Sequence, residues 1–463
     1  MSLVRNIFNY LILGMAVAIP FLVFPVFENS YEFPKILIFK FCVSVLFGLK
    51  MLELKSWHDI GLWIKNLFLK KRKWPVVLFC AFFVSQLVSV ILSIDRERSL
   101  WGSPERWWGL TTQISFFVFF FLLFDFFAEL KNRKNFLIAV AVSATAMSVY
   151  AIIQRLGLTN DDFVYTRGFN LPRPDGTLGH PNYLGIYLAM SLPVLYYFLF
   201  FTKKVILKIV CSLAIFLILI ALHNTINRGG YLAAYFSAII FFSFYFCKIS
   251  ERKNRWQKLS LSFLSATLVF LCFWTGIFLP KGQAPSEQNF GEGSMLIRIL
   301  DMGAAADYFY QKPFFGYGAE NYLLLYEKRA KWPIEQVIDN HPSDRVHNLF
   351  FDNLLNFGFV GVVLLFFFWF EILKNIYHQI ISVDWIKKIN ALLLLAIFFA
   401  YLVALQFHFD TLVVTFLLYS FWAYSLADGE SFVDQKNKLQ LSILILGIVA
   451  IIFGFFLLAV CLL

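Results

Sequence analysis

Charge is scarce in this sequence: 15% of its 463 residues are Asp, Glu, Lys or Arg, against 60% hydrophobic. Soluble domains carry about 25% charged and about 45–50% apolar residues, so a water-soluble fold is excluded. Acidic residues are scarcer still, 29 against 40 basic, a formal net charge of +11. Such a surplus suits nucleic acid when it forms one continuous patch. Here Lys and Arg sit in short runs between apolar segments, where the ordinary cause is a cytoplasmic loop beside anionic lipid. No nucleic-acid partner is expected. The six cysteines (Cys42, Cys80, Cys211, Cys247, Cys272, Cys461) all lie in apolar segments and form no C-x-x-C pair, which excludes a disulfide framework and a thiolate metal site. Fixed-period repeats are missing. No small-residue cleavage site follows the first apolar run, 7–27, which reads as a retained span.

What the chain has instead is Phe, 58 of them, in apolar runs. Runs of about 20 residues match a hydrocarbon core about 30 Å thick. Beyond 7–27 the expected spans are 36–53, 75–93, 111–129, 136–156, 182–201, 205–222, 230–247, 259–279, 358–374, 389–407, 411–427 and 440–462. The fold class is all-α, a polytopic transmembrane bundle of 12–13 spans with a large, partly helical external loop. Short basic loops (70–73, 131–134, 203–204, 252–255, 387–388) alternate with longer or mixed-sign ones (94–110, 157–181, 223–229, 280–346). The positive-inside rule puts the basic set and the N-terminus in the cytoplasm. Thirteen spans leave the C-terminus outside and twelve return it inside. The division that follows is a bundle with nine spans over 1–279, an external loop carrying part of the active site over 280–346, and a catalytic-motif segment with the final spans over 347–463. In 57–69, Trp57, Ile60, Trp63, Ile64, Leu67 and Phe68 recur at helical steps, as in an amphipathic helix on the cytoplasmic membrane surface. The 294–310 stretch has the pattern of a helix near the outer interface.

Three external residues stand out. Arg228, in Asn227-Arg228-Gly229-Gly230, is a cation where the topology signal disfavours one; it either snorkels to headgroups or faces a bound anion across flexible glycines. Arg298 either pairs with Asp301 three residues on or offers its planar fork to phosphate oxygens. His347 is either a hydrogen-bonded structural residue or a base for a sugar hydroxyl, since imidazole titrates near neutrality. Asp339, His341, Asp344 and His347 are spaced closely enough to raise a divalent metal site, but Pro342 fits a solvated turn better and no metal is expected. Lys40 is the main charge placed inside a span.

His347-Asn348, nine residues, then Gly358-x-x-Gly361 is similar to the signature of the O-antigen ligase and polymerase superfamily of bacterial membrane glycosyltransferases, and four further stretches resemble that family in its order. Gly102-Ser103-Pro104-Glu105-Arg106-Trp107-Trp108-Gly109-Leu110 resembles its GSPxRxxGL turn, and Gly176-Thr177-Leu178-Gly179-His180-Pro181-Asn182 its GTxGNPN stretch, with His180 for Asn. Asn227-Arg228-Gly229 resembles SRG with Asn for Ser, and 313–322 resembles PxxGxGxxxF/Y. Where the family has Leu four residues after an Arg, Met302 follows Arg298.

The resemblance implies transfer of a glycan from an undecaprenyl-diphosphate carrier, inverting and metal-independent, with no cofactor. The acceptor it implies is first lipid A core (a ligase of lipopolysaccharide), then another carrier-linked repeat unit (a polymerase of polysaccharide), then protein (an O-oligosaccharyltransferase). Carried over, Arg228 and Arg298 bind the carrier diphosphate and His347 deprotonates or positions the acceptor hydroxyl; Asn348, Gly358, Gly361, Arg106 and Asn182 support them. The implied location is the bacterial cytoplasmic membrane, with the site on the outer face among membrane lipids. A transporter or flippase of lipid-linked precursors is the competing class. Its ionisable residues would gather near the bilayer midplane, whereas here they cluster at span ends.

Overall fold

The computed structural model describes residues 2–25, 29–54, 56–68, 72–159, 173–245, 290–328 and 344–427. The expected spans 259–279 and 440–462 lie outside these residues, as do Cys247, Cys272, Cys461, Asp339 and His341. Apolar runs make helices here because the bilayer interior offers backbone groups no water, and an α-helix satisfies them within the segment. The helices are α1 (Ser2–Ala18, continued by a 3-10 turn), α2 (Glu32–Glu53), α3 (Trp57–Leu67), α4 (Lys73–Ile91), α5 (Arg96–Trp101), α6 (Leu110–Phe127), α7 (Leu130–Arg155), α8 (Pro181–Phe201), α9 (Val205–Asn224), α10 (Arg228–Phe244), α11 (Phe290–Gln311), α12 (Tyr322–Lys328), α13 (Leu349–Ile381), α14 (Trp385–Ala404) and α15 (Leu412–Leu426). Eight helices among the described residues are long and apolar enough to cross a membrane. The expected spans on α2, α10 and α15 are helical too, but α2 carries three lysines and the other two are shorter. The chain is an all-α polytopic membrane bundle.

Every residue of α15 is buried, as expected for a helix apolar on all sides at the centre of a bundle. Around it α2, α4, α6, α8, α13 and α14 interlock through Phe side chains, many edge to face: Phe39 on Phe119 (5.5 Å, 81°), Phe79 on Tyr419 (5.6 Å, 72°) and Phe368 on Trp422 (4.9 Å, 86°). These are the arrangements the ring quadrupole favours. In lipid, association rests on such close packing because burial from hydrocarbon gains little. α9 sits at the periphery with Ile206, Leu213 and Phe216 exposed, a surface suited to acyl chains. Gly185 of α8 and Gly230 of α10 let those backbones meet: a Cβ on Gly230 would stand 3.1 Å from the Gly185 carbonyl carbon.

At the end read as cytoplasmic, Arg5 pairs with Glu129 (3.1 Å) and Lys50 with Asp125 (3.1 Å). α3 is held there by a capping box between Ser56 and Asp59 and by the Trp63 indole donating to Asp125 (2.8 Å). Trp57 stays 88% exposed, the interfacial ring of an amphipathic helix. Lysines inside α2 find partners rather than lipid. Lys40 donates to Thr111 (2.8 Å), and the fully buried Lys35 donates to the carbonyls of Leu22, Tyr31 and Thr177 (2.8, 2.9 and 2.7 Å). Lys35 thereby ties the 176–182 stretch to α2 at the opposite end, where the candidate site lies.

Candidate active site

The site is built on a broken helix. α13 runs from Leu349 to Ile381 but turns at Gly358, whose φ of 66° and ψ of −171° are open essentially to glycine alone. A break strands helical carbonyls and amides, and the 313–318 loop takes them up. Tyr317 N donates to Leu355 O (2.9 Å), Gly318 N to Asn356 O (3.0 Å), Phe359 N to Pro313 O (2.7 Å) and Val360 N to Phe314 O (3.1 Å). The two backbones touch: a Cβ on Gly358 would lie 2.4 Å from Phe314 C, and one on Gly316 (φ 69°) 2.4 Å from Leu355 O. Gly358 of the signature and Gly316 of the 313–322 stretch therefore serve one backbone contact. The expected span 358–374 is correspondingly the second half of a longer, interrupted helix.

A second tight turn, 102–109, closes on itself; a Cβ on Gly109 would lie 2.3 Å from Gly102 N. It presents Arg106, whose Nε bonds Asp344 (2.6 Å) and whose guanidinium lies 4.1 Å from the Phe409 ring centroid. Arg345 beside it is 4% exposed and pairs with Glu320 (2.7 Å) and Asp352. Ser103 donates to Glu320 (2.7 Å). Buried ion pairs hold only when every partner is satisfied, so this group locks the turn, the 313–321 loop and α13 in one geometry.

His347 stands just before α13. Asn348 caps the helix, its side-chain oxygen accepting from Phe350 N (2.9 Å) and Phe351 N (3.2 Å) while its amide donates to Gln406 O (3.1 Å). Leu349 N donates to Leu405 O (2.9 Å). The 405–411 loop, between α14 and α15, is thus the cradle of the histidine. From it Phe409 packs against the His347 ring at 5.3 Å. Nδ1 of His347 lies 3.3 Å from Asp301, which also accepts from the Tyr322 hydroxyl (2.8 Å).

Arg228 occupies the first position of α10, exposed, beside the cap residue Asn227. Asn227 donates to Asn182 O (2.9 Å), and its oxygen lies 3.4 Å from His408 Nε2. A cation at a helix N-terminus adds to the positive end of the helix dipole, so the potential there favours anions. Arg298 belongs to the same field: burial pushes its guanidinium below the usual range, Asp301 opposes this, and the Arg228 charge adds to it. His180, the cap of α8, is held at about 3 by burial and by Arg173, His347, Arg106 and Arg298; burial and the cations around it also push His408 well down. Asp344 responds oppositely: burial would raise it, but Arg106 holds it below the usual carboxylate range.

A half-buried, neutral His180 has a pH signature. Its pKa is depressed from an ordinary 6.5 to about 3, so its stabilising contribution is present above pH 6.5 and declines as pH falls toward 3. The detergent-solubilised protein is expected to melt at lower temperature at pH 5 than at pH 7.5, and His180→Asn to weaken that dependence. An unchanged slope in the variant counts against the neutral histidine.

The structure brings His347, Arg298, Arg228, Arg106, Asn182 and Asn348 to one end of the bundle. Gly358 and Gly361 shape the helix behind them; a Cβ on Gly361 would lie 2.5 Å from Phe357 Cβ. Asp301, expected as a partner of Arg298, also contacts His347 and Tyr322. Asp344, considered as a metal ligand, pairs with Arg106, and no cluster of three or more His, Cys, Asp or Glu suited to a metal occurs among the described residues. The reading from residues missed Asp301 as a neighbour of His347, Arg345, and the 405–411 loop. The available signal was His408 and Asp410 in the short gap between two apolar runs.

Residues 213–366 match the family model described as O-antigen ligase. No curated protein matches the chain. The matched segment holds Arg228, Arg298, His347, Gly358 and Gly361, the residues whose arrangement has just been described. That segment of the chain is similar to the O-antigen ligase family.

Proposed function

We propose that the protein transfers a glycan from an undecaprenyl-diphosphate carrier to an acceptor hydroxyl at the outer face of the bacterial cytoplasmic membrane, with lipid A core as the first-ranked acceptor. The observation that supports this reading is a part-exposed His347 whose ring contacts Asp301, one helical turn from Arg298, with Arg228 at the N-terminus of α10 near enough to bear on the Arg298 charge. A diphosphate suits such a pair of cations, and guanidinium forks match its oxygens. Arg228 and Arg298 bind the carrier diphosphate and stabilise the negative charge that grows on it as the sugar C1–O bond breaks. The acceptor oxygen attacks C1 from the opposite side, inverting the centre, and its proton passes to His347. Orientation supplies much of the remaining rate, and no metal or cofactor enters the scheme.

The test is a reconstituted assay with carrier-linked glycan and, separately, lipid A core, a second carrier-linked repeat unit and protein as acceptors. Release of undecaprenyl diphosphate coupled to transfer is expected, with His347→Ala lowering it by about 100-fold or more. The productive acceptor separates ligase, polymerase and protein glycosylation. Carrier movement across the bilayer without transfer would instead identify a flippase. Unchanged transfer in His347→Ala removes the assigned base.

A further inference from the structure

Resting on the transferase reading, we propose that Asp301 and Tyr322 form a positioning relay behind His347, fixing its tautomer and stabilising the imidazolium that forms during transfer. The two faces of the ring see different surroundings. Nδ1 points to Asp301, whose side chain is 1% exposed, whereas the His347 side chain keeps 28% of its surface open. Nε2, on the other edge of the ring, is turned away from Asp301. An Asp301 carboxylate 3.3 Å from Nδ1 favours a proton on that nitrogen, which leaves the Nε2 lone pair free to accept one. The separation is long for a charged pair, as is common before substrate tightens a catalytic hydrogen bond.

Asp301 is itself held. The Tyr322 hydroxyl donates to its other oxygen at 2.8 Å, and Tyr322 is 1% exposed and packed against Tyr326 (6.0 Å). Phe409 closes the remaining side of the imidazole at 5.3 Å. α11 joins the two tasks. Arg298 and Asp301 are three residues apart, so one turn of helix carries both a cation for the leaving group and the carboxylate behind the base.

In the transfer step the acceptor O–H gives its proton to Nε2 as the oxygen bonds to C1. The C1–O bond to the diphosphate breaks, and its electron pair leaves with the diphosphate. The imidazolium so formed lies beside the Asp301 carboxylate, keeps the Nδ1 proton throughout, and returns the Nε2 proton to water through its exposed side.

Asp301→Asn keeps the size of the side chain but removes its charge, and kcat is expected to fall by about 100-fold with KM for donor and acceptor within about twofold. Tyr322→Phe, a milder change, is expected to lower kcat by about 5-fold through loss of one hydrogen bond to Asp301. Ring-¹⁵N-labelled protein, with His347→Gln used to assign the signal, should show His347 protonated at Nδ1 in the wild type and shifted toward the Nε2–H tautomer in Asp301→Asn. Wild-type kcat in both variants, or an unchanged tautomer in Asp301→Asn, overturns the relay. If those variants are normal while His347→Ala is inactive, only the relay fails; if His347→Ala is also normal, the transferase reading fails with it.

Discussion

Arg298→Ala and Arg228→Ala are each expected to lower glycan transfer by about 100-fold, the usual effect of deleting one donor to a developing oxyanion. Burial, more than the Arg228 charge, depresses the Arg298 guanidinium, and Asp301 opposes both. Arg228 is exposed, so Arg228→Ala should lose activity without losing thermal stability, which separates a diphosphate role from a structural one. Arg298→Lys should retain part of the activity, since charge survives while the bidentate fork is lost. Added pyrophosphate should raise the melting temperature of the wild type and have little effect on the Arg228→Ala, Arg298→Ala double variant. Transfer at wild-type rates in both folded single variants would discard the diphosphate assignment.

Gly358→Ala is expected to destabilise the protein by about 3 kcal/mol or more. Two effects add there. The backbone conformation, φ 66° and ψ −171°, is strained for any residue with a Cβ. The new methyl would also lie 2.4 Å from both the carbon and the oxygen of the Phe314 carbonyl, which cannot rotate away as a side chain could. Relief requires the 313–318 loop to retreat, breaking the bonds from Phe359 N and Val360 N to Pro313 and Phe314. That loop leads into Glu320, the buried partner of Arg345, so the damage should reach the setting of His347. Gly303→Ala on α11 is the control: a Cβ there meets nothing within 4 Å, and no loss of stability is expected. A Gly358→Ala protein that melts and turns over like the wild type would show that the break in α13 is dispensable.

Much of the fold was legible because lipid imposes a simple rule on sequence. A run such as 205–224 has no means of satisfying its backbone in a bilayer except as a helix. The helical character of 294–310 and the amphipathic 57–69 stretch followed from the spacing of their apolar residues. The site was partly legible for a different reason. Arg228, Arg298 and His347 stand where a bundle has no structural need for charge, and the glycines around His347 mark backbone that a Cβ would obstruct. Gly358 and Gly316 were visible as glycines, but that Gly358 faces the Phe314 backbone and Gly316 the Leu355–Asn356 backbone was not. Asp301 looked like a helical partner for Arg298, because spacing along one helix is visible while a contact to a residue 46 positions away is not.

The sequence alone determined the solvent, the helical class, the alternation of basic with mixed-sign loops and the types of side chain available for chemistry, because each depends on composition and local periodicity. Tertiary structure alone decided that the 405–411 loop cradles His347, that Arg345 rather than an exposed residue locks the turns together, and that Asp301 stands behind the imidazole. Those contacts join segments far apart in the chain, and their energies depend on desolvation and distance, which no local pattern encodes.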